Sequence, residues 1–251
     1  MPSHRSCTGS AILSLALLAS PCLFAATRSP GPRLWIWAWD RPEDLRFLKP
    51  EEAGVAFFVL GLHVHRVGMD VRPRTAPLRL AEGMHRLAVV RLEVDLASLP
   101  EDRLGLIVAA IQDQGMVPGI EALQLDFDAT RCQRPLYRKL LGRLRAALGD
   151  RIPITITALA SWCMGDRWLR DLPVAGAVAM LFQMGPDSAE ALTWLRRGRP
   201  LAGVAKTPPD WGLGLEQPLP VSPPAGARTF LFSNHPWTLA AFRRAQRRVN
   251  P

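Results

Sequence analysis

Lysine and tyrosine are almost missing from this chain. Lys49, Lys139 and Lys206 are the only lysines among 251 residues, and Tyr137 is the single tyrosine. The formal net charge of +9 therefore rests on arginine. The arginines are scattered over several helix-like stretches, with one cluster at Arg243, Arg244, Arg247 and Arg248, a spacing that makes a solvated helix face. No basic patch interleaved with stacking aromatics and no nucleic-acid module is present, so nucleic acid is not expected as a partner. Attraction to an anionic cell surface or an acidic glycan stays open. With 4 cysteines the chain is no disulfide-dense miniprotein. The Gly-rich phosphate loop, the HExxH pattern and the Cys-x-x-Cys pattern are all missing, so neither a cofactor nor a metal is expected. No linker divides the chain and no repeat runs through it. Its 48% hydrophobic and 21% charged residues are those of a globular domain rather than a disordered one.

The first residues read as a secretory signal. His4 and Arg5 make a short basic start, Ala11 to Ala19 is an apolar run, and Leu23 to Ala26 offers small residues for cleavage. That run falls short of the about 20 apolar residues a membrane helix needs. Residues 1–26 are thus expected to be removed on export to a periplasmic or extracellular space, leaving no stable membrane span. Removal takes Arg5, so the charge falls by one from +9 to +8, and it takes Cys7 and Cys22. Cys132 and Cys163 then remain in an oxidising compartment, where they could pair.

Residues 27–251 read as one domain. Eight short apolar runs stand out: Leu34–Asp40, Gly54–Val64, Arg86–Asp95, Ala122–Ala129, Pro153–Cys163, Val174–Met184, Leu201–Thr207 and Arg228–His235. Each is apolar enough to be a strand buried on both faces of a parallel sheet. Amphipathic stretches lie between them, clearest where Leu136, Leu140, Leu141, Leu144 and Leu148 recur at helical spacing. Asp102–Gln114, Ser188–Arg197 and Thr238–Arg248 have the same character, whereas Arg66–His85 and the proline-rich Pro208–Ala227 read as long loops. Strands alternating with helices predict an α/β fold, a (β/α)8 TIM barrel; the rival doubly wound sheet lacks its phosphate loop. Oligomeric state leaves no mark in the sequence.

In such barrels the chemistry sits at the C-terminal ends of the strands. On the fourth run, Leu123, Leu125 and Phe127 alternate with Gln124, Asp126 and Asp128, so both acids should face the barrel mouth, about 6.6 Å apart along the strand. The third run likewise brings Arg91, Glu93 and Asp95 to one face. Clustered carboxylates repel, which can hold one protonated while another stays ionised, a division suited to glycosidic bond cleavage. Asp126 and Asp128 are the catalytic candidates, with a structural Arg91–carboxylate network in the barrel interior as the alternative, while Glu93 is read as a structural partner of Arg91. Trp39, Asp40, Asp95, Trp162, Gln183, Asn234 and Trp237 lie at strand ends where rings and amides could hold sugars. Trp35 and Trp37 are expected to pack under a helix. His63 and His65, with Glu93, Asp95, Asp126 and Asp128, could build a divalent-metal site, and a metal-dependent phosphodiester or ester hydrolase using His63, Glu93, Asp95 and Asp126 is an alternative reading. Cys132 and Cys163 end neighbouring strands, close enough for a disulfide.

The stretches WIWAWDRPEDLRFL, VVRLEVD, LQLDFDA with RPLYRKLL, ITALASWCMGDRWL and VAMLFQMG resemble a bacterial family of exported proteins catalogued as a domain of unknown function, over roughly residues 34–240. That resemblance supplies no activity but implies a single-domain barrel of glycoside-hydrolase-like character, and the strand-end acids and rings make a carbohydrate or polysaccharide the expected substrate. LQLDFDA also looks like the fourth strand of chitinase-like glycosidases, where an Asp-x-Asp-x-Glu run ends in the acid. Gln124 falls at the first Asp, Asp126 at the second and Asp128 at the glutamate. Two departures follow: Asp is one methylene shorter than Glu, and Gln124 cannot share a proton. Their alternative outcome is a glycan-binding barrel without turnover.

Overall fold

The computed structural model describes residues 31–205, 207–217 and 221–249; the signal sequence expected over residues 1–26 lies outside them. Eleven strands and four α-helices follow in chain order. The strands are β1 (Leu34–Ala38), β2 (Glu43–Asp44), β3 (Gly54–His65), β4 (Gly68–Pro73), β5 (Leu78–Arg79), β6 (Arg86–Val94), β7 (Ala122–Asp126), β8 (Ile154–Leu159), β9 (Gly176–Met180), β10 (Asp210–Gly214) and β11 (Thr229–Phe232). The helices are α1 (Glu101–Ala110), α2 (Arg134–Leu148), α3 (Ser188–Arg196) and α4 (Leu239–Val249).

Strands β1, β3 and β6 to β11 pair in parallel, and β1 bonds to both β11 and β3, which closes the sheet into a TIM barrel. Helices follow β6, β7, β9 and β11; the other four connections carry no α-helix among the described residues. Helix α2 shows why a helix forms and how it docks. Leu136, Leu140, Leu141, Leu144 and Leu148 are buried on the sheet, with Arg138, Lys139 and Arg143 exposed on the opposite face.

Three expectations are corrected here. The seventh strand is not Leu201–Thr207 but Asp210–Gly214, inside the segment read as loop. Residues 201–205 bond instead to turns: Ala202 N–H donates to the Cys163 carbonyl, Ala205 N–H to that of Arg170, and Ala205 has a left-handed φ of 53°. The real strand is poor in β-forming residues because it packs against rings. A Cβ on Gly212 would lie 3.0 Å from the Trp37 ring, and one on Gly214 would lie 2.9 Å from the Phe182 Cβ. The second correction concerns Arg66–His85, which is no structureless loop: β4 runs antiparallel to β3 as a hairpin, and β5 pairs with β2.

The third concerns the tryptophans. Trp35 and Trp37 point into the barrel, not under a helix, and share its interior with Ala56, Leu87, Val89, Val178, Phe182 and Phe230. Trp35 stacks on Phe230 at 5.7 Å and 15°, and small neighbours make the room. A Cβ on Gly54 would sit 2.6 Å from the Trp35 ring. Gly54→Ala should therefore destabilise the barrel by about 1–3 kcal/mol through overpacking. Urea unfolding checks this, and an unchanged midpoint would show that the ring shifts freely.

Candidate functional site

At the C-terminal mouth of the barrel lies an open cleft of about 700 Å³. Its walls come from seven of the eight barrel strands or the turns that follow them: Trp37 and Trp39, Phe58, Arg91 and Glu93, Asp126 and Asp128, Thr157, Phe182 and Gln183, and Phe232 among others. Arg72 of the hairpin and Asp187 of the turn after β9 complete it. The aromatic side is a packed set. Trp39 lies 6.0 Å from Phe58 and 6.2 Å from Phe232, and Phe182 stacks on Phe232 at 4.9 Å.

The polar side is organised by Arg91. One guanidinium nitrogen, Nη1, donates to Asp126 Oδ2 at 2.9 Å; Nη2 lies 3.0 Å from Asp128 Oδ2, and Nε lies 3.5 Å from Glu93 Oε1. Period-two alternation along β7 puts Gln124 and Asp126 inside the barrel, and Asp128 follows on the same side. Gln124 accepts from the Trp37 indole at 2.8 Å, which caps the hydrophobic interior below the acids. Thr157, on β8, donates to Asp126 Oδ1 at 2.6 Å. Both oxygens of Asp126 are thus engaged, and the residue is 3% exposed. The Asp128 side chain is 39% exposed, so it is the member of the pair open to a ligand.

Burial pushes the Asp126 carboxyl above its ordinary range, against the opposing pull of Arg91 and the Thr157 hydroxyl. For Arg91, burial works against the charge, but Asp126 and Asp128 outweigh it and raise its pKa. Three carboxylates share one guanidinium, so a fully ionised cluster carries an excess of negative charge, and a proton held there belongs to the cluster. The raised Asp126 pKa has a consequence for stability. Above the unfolded value of about 3.9 and below the folded one, the native state keeps a proton that the unfolded chain has released. This residue's contribution is accordingly full at low pH and is lost as pH rises through the folded pKa. Relative to Asp126→Asn, which cannot titrate there, the wild type should lose stability as pH climbs from about 4 towards neutrality. Paired denaturation curves across that range test it; a wild-type stability that rises relative to Asp126→Asn with increasing pH would contradict it.

Of the residues singled out in the sequence, the cleft brings together Asp126, Asp128, Trp39 and Gln183. Five others lie outside it. Asp40 accepts from the backbone N–H groups of Thr75 and Ala76 at 3.2 and 3.1 Å, tying down the loop after β4. Asp95 lies past the end of β6 and meets His63 Nε2 at 3.0 Å, a hydrogen bond that raises the histidine's pKa. Trp162 faces away because β8 gives way to a tight turn over Ala160–Cys163; it packs on Trp168 at 4.8 Å and on Tyr137. Trp237 is buried with its indole N–H on the Trp37 carbonyl at 2.9 Å. Asn234 is at the surface, its backbone N–H against Glu216.

The disulfide is not formed: Cys132 and Cys163 are both free. Cys132 lies at the surface beside the Thr130 hydroxyl, whereas Cys163 is turned into the core, and burial pushes its thiol up to about 12. Among the described residues no group of three or more His, Cys, Asp or Glu side chains is arranged to hold a metal ion. Arg91 already occupies the centre of the acid cluster, the place such an ion would need.

Glu93, read as purely structural, lines the cleft and touches Arg91 only loosely. Thr157 was within reach of the same alternation that found Asp126, since ITITAL puts Thr155 and Thr157 on one face of β8. Arg72 and Asp187 sit on a hairpin and a turn, where no periodicity reports direction. In comparison with known proteins, the chain matches no family model, and no curated protein is significantly similar to it.

Proposed function

We propose that this TIM-barrel protein is glycoside-hydrolase-like and acts, after export, on a polysaccharide, with Asp128 as the proton donor to the glycosidic oxygen. The observation that carries the reading is the ligand-accessible Asp128 carboxylate at the rim of an aromatic cleft, coupled through Arg91 to the buried Asp126. Sugar rings present an apolar face that suits Trp39, Phe58 and Phe232, and hydroxyls that suit Gln183 and the backbone around it. Asp126 acts through Arg91 as a positioning residue. Glycosidases need a second carboxylate across the scissile bond, and Asp187, carried by the loop after β9, is the cleft acid two strands from β7.

The test is reducing-end release from a panel of cell-wall and exopolysaccharide glycans, with and without chelator. Release that survives chelation supports the reading; release lost to chelation and restored by a divalent ion overturns it in favour of metal chemistry. One observation favours a second reading, a glycan-binding barrel without turnover: Arg91 engages Asp126 and Asp128 together, which holds the proposed donor in an ion pair with the protein itself. Tight binding of a glycan with no product after long incubation would establish it.

A further inference from the structure

The cleft holds a second guanidinium, Arg72, that has no carboxylate partner among the described residues, in contrast to Arg91 with its three. Arg72 is not loose on the hairpin. It stands directly across from Gly61 in the β3–β4 ladder, and its guanidinium carbon lies 5.5 Å from the centre of the Phe58 ring. A Cβ at residue 61 would come within 3.3 Å of that ring and 3.7 Å of Arg72 Nε, so the glycine clears the path by which the arginine crosses β3. A break in register between Phe58 and Leu60 turns Val59 and Leu60 both into the outer core and so brings Gly61 to the face of Phe58. Held over an aromatic ring, a guanidinium keeps N–H donors free for a carboxylate.

We propose that the cleft takes an acidic glycan, with Arg72 receiving the carboxylate of a uronate sugar on the hairpin wall. This rests on the glycan reading given above and names the substrate class for the same site. Glu93, Asp128 and Asp187 repel a uronate from the rest of the cleft, so the charged substituent is directed to Arg72 while another ring of the chain meets Asp128. The net charge, +9 for the whole chain and +8 without residues 1–26, draws a polyanion towards the protein as a whole.

The experiment is a set of binding titrations at low salt on backbone-matched pairs: cello-oligosaccharides against their C6-oxidised forms, mannan against mannuronan oligomers, and methyl-esterified against free oligogalacturonate. The proteins are the wild type, Arg72→Gln and Arg244→Gln, the last removing an equal charge from the exposed face of α4. The acidic member of at least one pair should bind about tenfold more tightly. Arg72→Gln should bring that ratio to within about twofold, and Arg244→Gln should leave the ratio intact. A ratio that survives Arg72→Gln, or that falls equally in Arg244→Gln, overturns the role of Arg72 while leaving the glycan reading standing. Equal binding within every pair does the same. Binding of no member of any pair by a folded wild type overturns both.

Discussion

Asp128→Asn should cut glycan turnover by about 10²–10⁴-fold, the usual worth of a positioned general acid, with little change in folding stability. The asparagine keeps the shape of the side chain but cannot give up a proton to a leaving glycosidic oxygen. Its structural cost is small because the Asp128 side chain is 39% exposed and its ion pair with Arg91 Nη2, at 3.0 Å, is partly solvated. Such pairs contribute about 0–1 kcal/mol. Arg91 also keeps its tighter partner, Asp126, at 2.9 Å. Reducing-end assays on a responsive glycan, run beside thermal unfolding, separate the two effects. Full turnover in a folded Asp128→Asn protein would remove Asp128 from the chemistry, and a matching loss of stability would reduce its role to holding Arg91.

Arg91→Met should be the most destabilising single change at the site, by about 3 kcal/mol or more at neutral pH, because it strands a buried carboxylate. Asp126 is 3% exposed, and without Arg91 the Thr157 hydroxyl at 2.6 Å is the partner that remains for its charge among the described residues. The loss should shrink in acid, where Asp126 takes up a proton and the stranded charge disappears. The double variant Arg91→Met with Asp126→Asn should recover much of the deficit, since neither charge is then left buried. Urea denaturation of the four proteins in the cycle measures the coupling directly. Additive effects would mean that the ion pair contributes nothing beyond its two separate side chains.

Much of the acid cluster was legible in the chain because a strand has a period of two. Once LQLDFDA is a barrel strand with its leucines outward, Gln124 and Asp126 must lie inside, and Arg91 and Glu93 follow by the same rule on the neighbouring strand. The amphipathic pattern of α2 and the apolar runs of β1, β3, β6, β7, β8, β9 and β11 carried the architecture in the same local way. Strand β10 escaped because its glycines answer to Trp37 and Phe182, residues distant in the chain, and a strand chosen for the space around it has no apolar signature of its own.

Local pattern ends where strands end. Past Leu159 a tight turn rotates Trp162 into the helix layer, and past Val94 the chain leaves the barrel and hands Asp95 to His63, so position at a rim did not predict direction. The same limit applies to the cysteines, whose neighbouring loops project one thiol outward and bury the other. Thus the amino-acid order by itself determined the barrel, its inward acids and the end at which a cleft would open, because these depend on short-range periodicity. Only the tertiary structure decided that Asp126 would be buried between Arg91 and Thr157 while Asp128 stayed open, that Trp35 and Trp37 would fill the interior against glycines, and that a hairpin would lay Arg72 across Phe58. Each of those depends on side chains far apart in sequence competing for one volume, and packing resolves that competition only once the sheet has closed.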